Sequence, residues 1–308
     1  MAVDLLGGDH APAVVVDGAL RACQADPALH LLLVGPAEAA DEIIYALDPA
    51  EHGRILRLPV APADGVKADS WVESGVRSAV LAVAQGQADA VLSAGNTGAT
   101  VTSAALGLGR RPGVRRPPLA AVLPTGAGRL VLLDVGSSVD PDEETMATHA
   151  LLGAAYAAVV HGVAAPRVGL LTIGTERGKG DRLRRALPPL LAGLALPAGA
   201  RYVGLVEGND VVSGAVADVV VTDGFTGNVL LKGLEAAYAE LGPPDPAAGP
   251  PPPRAALLLG VDGTVVVCHG AASGADVAAG IAFAAHLHRR AAVAAMADLI
   301  EAQRGVSR

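Results

Sequence analysis

Aromatic side chains are nearly absent from this chain of 308 residues: one Trp, four Tyr and two Phe make up 2% of it. Hydrophobic residues still reach 51%. The core must therefore be built from Ala, Val and Leu, which suits helices packed closely on a sheet. Cysteine is almost as scarce. Cys23 and Cys268 are too few and too far apart to set a disulfide framework, so a reduced, cytoplasmic protein is expected. No basic segment followed by a long apolar one opens the chain, so no export signal is expected. Positive charge is in deficit too. A net charge of −8 with no basic stripe disfavours a nucleic-acid partner. The short cluster Arg110, Arg111, Arg115 and Arg116 is broken by Pro112, Pro117 and Pro118 and reads as a solvated loop. Residues 146–165 carry no formal charge, but they contain His149 and His161 and are rich in Ala and Gly. That is too weakly apolar for lipid, and a buried helix is expected.

Several chemical signatures are missing as well. Gly178-Lys179-Gly180 lacks the spacing and the following Ser or Thr of a nucleotide P-loop, and Pro12 stands where a dinucleotide fingerprint needs glycine. There is no H-E-x-x-H, no C-x-x-C and no G-x-S-x-G. Neither a metal, an organic cofactor nor a serine nucleophile is expected.

What is present is alternation. Short apolar runs at 2–6, 29–35, 54–59, 88–94, 119–123, 129–135, 167–173, 201–206, 218–222 and 264–268 read as strands. Ala-rich runs at 12–25, 37–46, 71–85, 99–107, 143–160, 182–194, 227–241 and 276–303 read as helices. Several strands are apolar throughout, the mark of a sheet covered on both faces. The expected fold is α/β, a doubly wound, mostly parallel sheet, in a single domain over 1–308 with a Pro-rich surface loop at 242–253.

Seven of these strands end in the same way, with glycine beside small polar or ionisable residues. The ends are Gly7-Gly8-Asp9-His10, Gly95-Asn96-Thr97-Gly98, Gly136-Ser137-Ser138, the stretch Gly174 to Asp181, Glu207-Gly208-Asn209-Asp210, Asp223 to Asn228, and His269-Gly270. One such end is an ordinary turn. Seven on parallel strands are expected to bring their polar groups to one sheet edge, where bare backbone and helix N-termini suit an anion such as phosphate. Asn96 and Thr97 are expected to cap the helix that follows them.

The strings "GGDHAP" (7–12), "SAGNTGA" (93–99) and "VVVTDGFTGNVLLKGLE" (219–235) resemble the PlsX family of bacterial phosphate acyltransferases. "LLTIGTERGKG", "VEGNDVVSG" and "DGTVVVCHG" follow that family's order, and the likeness spans nearly the whole chain. The resemblance implies a fold of the isocitrate and isopropylmalate dehydrogenase type. It implies transfer of an acyl group from acyl carrier protein to inorganic phosphate, giving an acyl phosphate for phospholipid synthesis. It also implies a homodimer that touches the membrane peripherally. Phosphate is itself the nucleophile in such a reaction, so no Ser or Cys nucleophile is required. The protein has to hold a dianion beside a thioester, stabilise an oxyanion and release a thiol. By this likeness, backbone at Gly8, Gly95 and Gly227, with Asp9, His10, Thr97, Gly98 and Asp223 around it, is expected to bind phosphate. Lys179 and Lys232 are candidate fixed cations, and Asn96 and Asn228 candidate oxyanion donors. His269 is a candidate for protonating the leaving thiolate or orienting phosphate. A satisfied core histidine remains the other reading of His269, and a solvated helix lysine that of Lys232.

The chain departs from the family's pattern at named places. Leu6 stands where the family has Met, Ser138 where it has Asn, and Thr175 where it has Glu; the stretch before Ser70-Trp71 is shortened. Residues 242–253 replace a long helical pair that serves dimerisation and membrane contact in the family. A Pro-rich segment whose only nearby cation is Arg254, on a chain of charge −8, suits no anionic lipid surface, so membrane contact is not expected. Dimerisation would then fall to other helices, such as the one expected at 227–241. Two alternatives stand beside the acyltransferase reading. One is a non-catalytic or altered-specificity paralogue that keeps a phosphate pocket. The other is a dehydrogenase of the related fold, which needs an Arg-rich substrate site and spaced metal-binding aspartates that the sequence does not offer.

Overall fold

A computed structural model describes residues 1–60, 68–176, 178–242 and 254–306. In chain order its elements begin with β1 (Ala2–Asp4), α1 (Ala13–Ala25), β2 (Leu31–Gly35), α2 (Ala37–Ala46), β3 (Ile55–Pro59), α3 (Ala68–Ala84), β4 (Ala90–Ser93) and α4 (Thr97–Gly107). Next come β5 (Leu119–Thr125), β6 (Gly128–Leu133), α5 (Glu143–His161), β7 (Arg167–Leu171), α6 (Arg182–Ala192), β8 (Arg201–Val206), α7 (Gly208–Ser213), β9 (Val219–Val221) and α8 (Gly224–Leu241). The chain closes with β10 (Ala255–Leu258), β11 (Thr264–Cys268), α9 (Gly274–Arg289) and α10 (Ala292–Val306). These form two compact units, Met1–Arg110 with Pro253–Ala291, and Arg111–Pro252 with Ala292–Arg308.

In the first unit the strand order is β3-β2-β1-β4-β11-β10. All pairs are parallel except β10 with β11. Strands β1, β2, β4 and β11 are buried at every position, which requires cover on both faces. Two packed helix groups supply it, α1 with α2 and α9, and α3 with α4. In the second unit the order is β5-β6-β9-β7-β8, parallel except for β5 against β6. Helix α5 is the central helix here. The near-chargeless stretch forms it as expected, and Met146, Ala150, Ala154 and Tyr156 on it are fully buried. Among the described residues no helix is long and apolar enough to cross a membrane.

Helix ends follow local chemistry. Asp142, Asp181, Asp223 and Ser273 each accept a backbone N–H of the first turn of α5, α6, α8 and α9, and Gly162 ends α5 in the left-handed conformation. The expected helix over 276–303 is two helices, because Ala291 turns the chain at φ +48°. Strand β10 was not expected, since its run of small apolar residues directly follows a Pro-rich stretch. Helix α7 was not expected either; a capping box between Glu207 and Asp210 starts it. Apart from Gly242, the Pro-rich segment lies outside the described residues.

Candidate functional site

All seven glycine-marked ends follow strands that run parallel within their unit: β1, β4 and β11 in the first, β6, β7, β8 and β9 in the second. Each unit therefore gathers its own set on one sheet edge.

In the first unit three loops meet. The Asp9 N–H donates to the Gly270 carbonyl (2.8 Å), tying the loop after β1 to the loop after β11. Gly7 lies so near the loop after β4 that a β-carbon on it would sit 2.5 Å from the Gly95 nitrogen and 2.9 Å from Asp4 Oδ2. Asn96 caps α4 as expected, its Oδ1 accepting from the Ala99 N–H at 2.9 Å. Thr97 and Gly98 open that helix, whose first amides have no partner within the helix. Asp9, His10, Asn96 and Gly98 are exposed, and Gly8, Thr97 and His269 are half-buried. His269 Nδ1 accepts the Ala271 N–H at 3.1 Å. A neutral ring in that contact carries its proton on Nε2 and presents a donor there.

Behind these loops lies Asp4, at the end of β1 and 1% exposed. It accepts from the Leu6 N–H (3.1 Å) and the Ser93 hydroxyl (2.7 Å). Burial pushes its pKa up to about 6 against the help of these donors. A carboxyl with a raised folded pKa holds its proton more tightly when folded. Its stabilising contribution is therefore present below the ordinary value of 3.8 and is lost as pH rises through about 6. Between about pH 4.5 and pH 7.5 that loss is about 2 kcal/mol. Asp4→Asn keeps both contacts, because the Ser93 hydroxyl can turn to accept. The variant is expected to lose this part of the pH slope and to exceed the parent in stability at pH 7.5. Urea midpoints at the two pH values check this, and parallel slopes in the two proteins would contradict it.

In the second unit Asp134, fully buried at the end of β6, organises the loop that follows. Its Oδ1 accepts the amides of Leu119, Gly136 and Ser137 at 3.0–3.1 Å, and its Oδ2 that of Ser138 at 2.6 Å. Burial lifts its pKa to about 6 even so. Ser138 is buried, and its Oγ has no hydrogen-bond partner among the described residues. Asn228 donates through Nδ2 to the Val135 carbonyl (2.9 Å), fastening the first turn of α8 to the end of β6. Asp223 caps α8 through the Thr226 N–H and ion-pairs with Arg184 at 2.5 Å. Burial opposes its charge, but the Thr226 and Arg184 donors outweigh it and hold the carboxyl below its ordinary range. Arg184 also reaches Asp181, Thr222 and the Leu171 carbonyl. Lys179, in the loop between β7 and α6, and Lys232, one turn beyond Asn228 on α8, are exposed.

Two roles expected from the motifs change here. The Gly95 N–H donates to Ser93 Oγ (3.1 Å) and the Gly227 N–H to the Asp223 carbonyl (3.0 Å). Neither amide is left for an anion; both glycines serve close packing. Asp4, Asp134 and Arg184 escaped the sequence reading. The available signal was a charged residue inside or beside an otherwise apolar run, as in Ala2-Val3-Asp4-Leu5-Leu6 and Leu132-Leu133-Asp134-Val135.

A profile for a family described as "Fatty acid synthesis protein" matches residues 1–242. A phosphate acyltransferase of Thermobifida fusca is 40% identical over 336 aligned positions, covering 100% of this chain and 91% of that protein. Among solved structures, the EutD phosphotransacetylase from Staphylococcus aureus has a TM-score of 0.59 at 17% identity, over 96% of this chain and 94% of that one. A 4-hydroxythreonine-4-phosphate dehydrogenase from Klebsiella pneumoniae has 0.56 at 17%, over 94% and 97%. At such identities the structural likenesses establish fold alone, and that fold is the mostly parallel, dehydrogenase-like α/β type that the motifs implied.

Proposed function

Because this chain belongs to the fatty acid synthesis protein (PlsX) family and is a phosphate acyltransferase, we propose that its acyl donor is the thioester of acyl carrier protein and its acceptor inorganic phosphate. A phosphate oxygen attacks the thioester carbonyl, a C–O bond forms, and the carbonyl becomes an oxyanion. Collapse breaks the C–S bond; the thiolate leaves and takes a proton, and an acyl phosphate remains. The observation that carries this reading is the start of α4. There the Thr97 and Gly98 amides open a helix beside the glycine-lined loop of Gly7 and Gly8, the kind of seat an anion occupies. His269, with its proton on Nε2, suits donation to the departing thiolate. In the second unit Lys179 and Lys232 are the candidate cations. Asn228 keeps one amide hydrogen beyond its bond to Val135. A homodimer belongs to the same reading: α8 leaves Phe225, Val229 and Leu241 exposed, apolar surface that a second copy would cover.

The test is product formation. Incubated with acyl carrier protein thioester and phosphate, the protein should yield an acyl phosphate that hydroxylamine traps as hydroxamate. Lys179→Ala is expected to raise the phosphate KM or lower kcat, and His269→Ala mainly to lower kcat, each by about 10²-fold. Rates near the parent's for both would remove these residues from the chemistry. A folded protein that forms no hydroxamate from this donor and phosphate would overturn the assignment of acyl carrier protein thioester as the acyl donor.

A further inference from the structure

The second unit holds another cavity, of about 370 Å³, which the chemistry above leaves unused. It lies away from the carboxyl ends of the strands. Arg129 is the second residue of β6, Asp218 immediately precedes β9, and His161 is the last residue of α5; all three line it. Valines 131, 160 and 163 form apolar wall.

The polar groups are unevenly satisfied. Asp218 is fully engaged: Arg167 grips both its oxygens, Nε to Oδ2 at 3.0 Å and one terminal nitrogen to Oδ1 at 2.8 Å. Arg201 adds a further positive field on Asp218. Arg129 is exposed, and among the described residues no carboxylate pairs with it. His161 Nε2 is buried, with no hydrogen-bond partner among the described residues. Its ring is held edge-on to the buried Tyr156 ring, with centroids 5.1 Å apart and planes at 76°. Burial, reinforced by the charge of Arg129, lowers the His161 pKa to about 4, so the ring is a neutral hydrogen-bonding group at neutral pH. The cavity thus offers an unpaired guanidinium, a neutral histidine ring with a buried, unsatisfied Nε2 behind it, a neutralised carboxylate and apolar wall. Unpartnered buried polar atoms are scarce in folded proteins and call for an explanation.

We infer that this cavity is a binding site for a small organic anion, a monocarboxylate with an apolar body. The carboxylate pairs with the Arg129 guanidinium beside the His161 ring, while the body lies against Val131, Val160 and Val163. A guanidinium suits a two-oxygen planar anion, and a cavity of this size is in the range of small-molecule sites.

Calorimetric titration of the full chain tests this, with octanoate as probe, octanol as its uncharged counterpart and inorganic phosphate as the competing anion class. Octanoate is expected to bind and octanol not. Arg129→Gln, a change at an exposed position, should weaken octanoate about tenfold or more. Val160→Trp should abolish binding by filling the cavity, while circular dichroism shows both variants folded. Lys179→Ala should leave octanoate affinity unchanged, which separates this cavity from an acyl site in the strand-end loops. The inference is overturned if octanoate does not bind or if octanol binds equally well. It is overturned equally if binding survives Arg129→Gln, or if phosphate alone shows the Arg129 dependence.

Discussion

Arg184→Met is expected to destabilise the protein by about 3–5 kcal/mol, the usual result of leaving one member of a buried ion pair alone. Arg184 is only 6% exposed and Asp223 only 7%. The guanidinium donates to Asp223 Oδ2 (2.5 Å), Thr222 Oγ1 (2.8 Å), Asp181 Oδ2 (2.8 Å) and the Leu171 carbonyl (3.1 Å). One side chain thus joins the loop after β7, the start of α6 and the end of β9. Methionine fills similar volume but leaves the Asp223 carboxylate buried with the Thr226 donors alone. Arg184→Lys should recover little, because a single ammonium cannot span four acceptors set around a planar fork. Adding Asp223→Asn to Arg184→Met should cost much less than the sum of the two single changes, since the stranded charge is gone. Urea unfolding of the two single variants and the double variant measures this. A single variant within about 1 kcal/mol of the parent, or strict additivity, would show that the pair is not the fastening described.

Gly227→Ala is expected to destabilise by about 3 kcal/mol or more, far beyond an ordinary glycine-to-alanine change in a helix. A β-carbon at Gly227 would lie inside van der Waals contact with the Asp134 carbonyl oxygen, and 2.9 Å from Thr222 Cγ2. The obstacle is backbone at the end of β6, not the tip of a movable side chain. Helix α8 cannot back away cheaply. Its first turn is held by the Asp223 cap, by the Gly224 N–H to the Ser138 carbonyl (2.8 Å) and by Asn228 to Val135 (2.9 Å). Gly233 on the same helix is the control, because nothing lies within 4 Å of a β-carbon there. Gly233→Ala should be neutral or stabilising by up to about 1 kcal/mol. Denaturant midpoints of the two variants compare them, and equal effects would refute the close approach.

The amino-acid sequence by itself determined what is written locally. Short apolar runs marked ten of the eleven strands among the described residues, and those at the centre of each sheet, such as β1, β4 and β9, are buried at every position, because a strand inside a parallel sheet has no polar face to show. Caps such as Asn96 were legible because the capping side chain and the amide it accepts are three residues apart. The long strings around Gly95 and Gly227 carried the family, and at Gly227 the approach of the Asp134 backbone leaves no room for a β-carbon. What only the tertiary structure decided are relations across the chain. Asp4 meets Ser93 across 89 residues, Asn228 meets Val135 across 93, and Arg184 meets Asp223 across 39. No local rule tells a buried, bonded Asp4 from a solvated one, or shows that the Gly95 and Gly227 amides are already taken. The unpartnered His161 nitrogen beside Arg129 is likewise invisible in sequence, because burial of a side chain depends on which strands and helices come to lie over it.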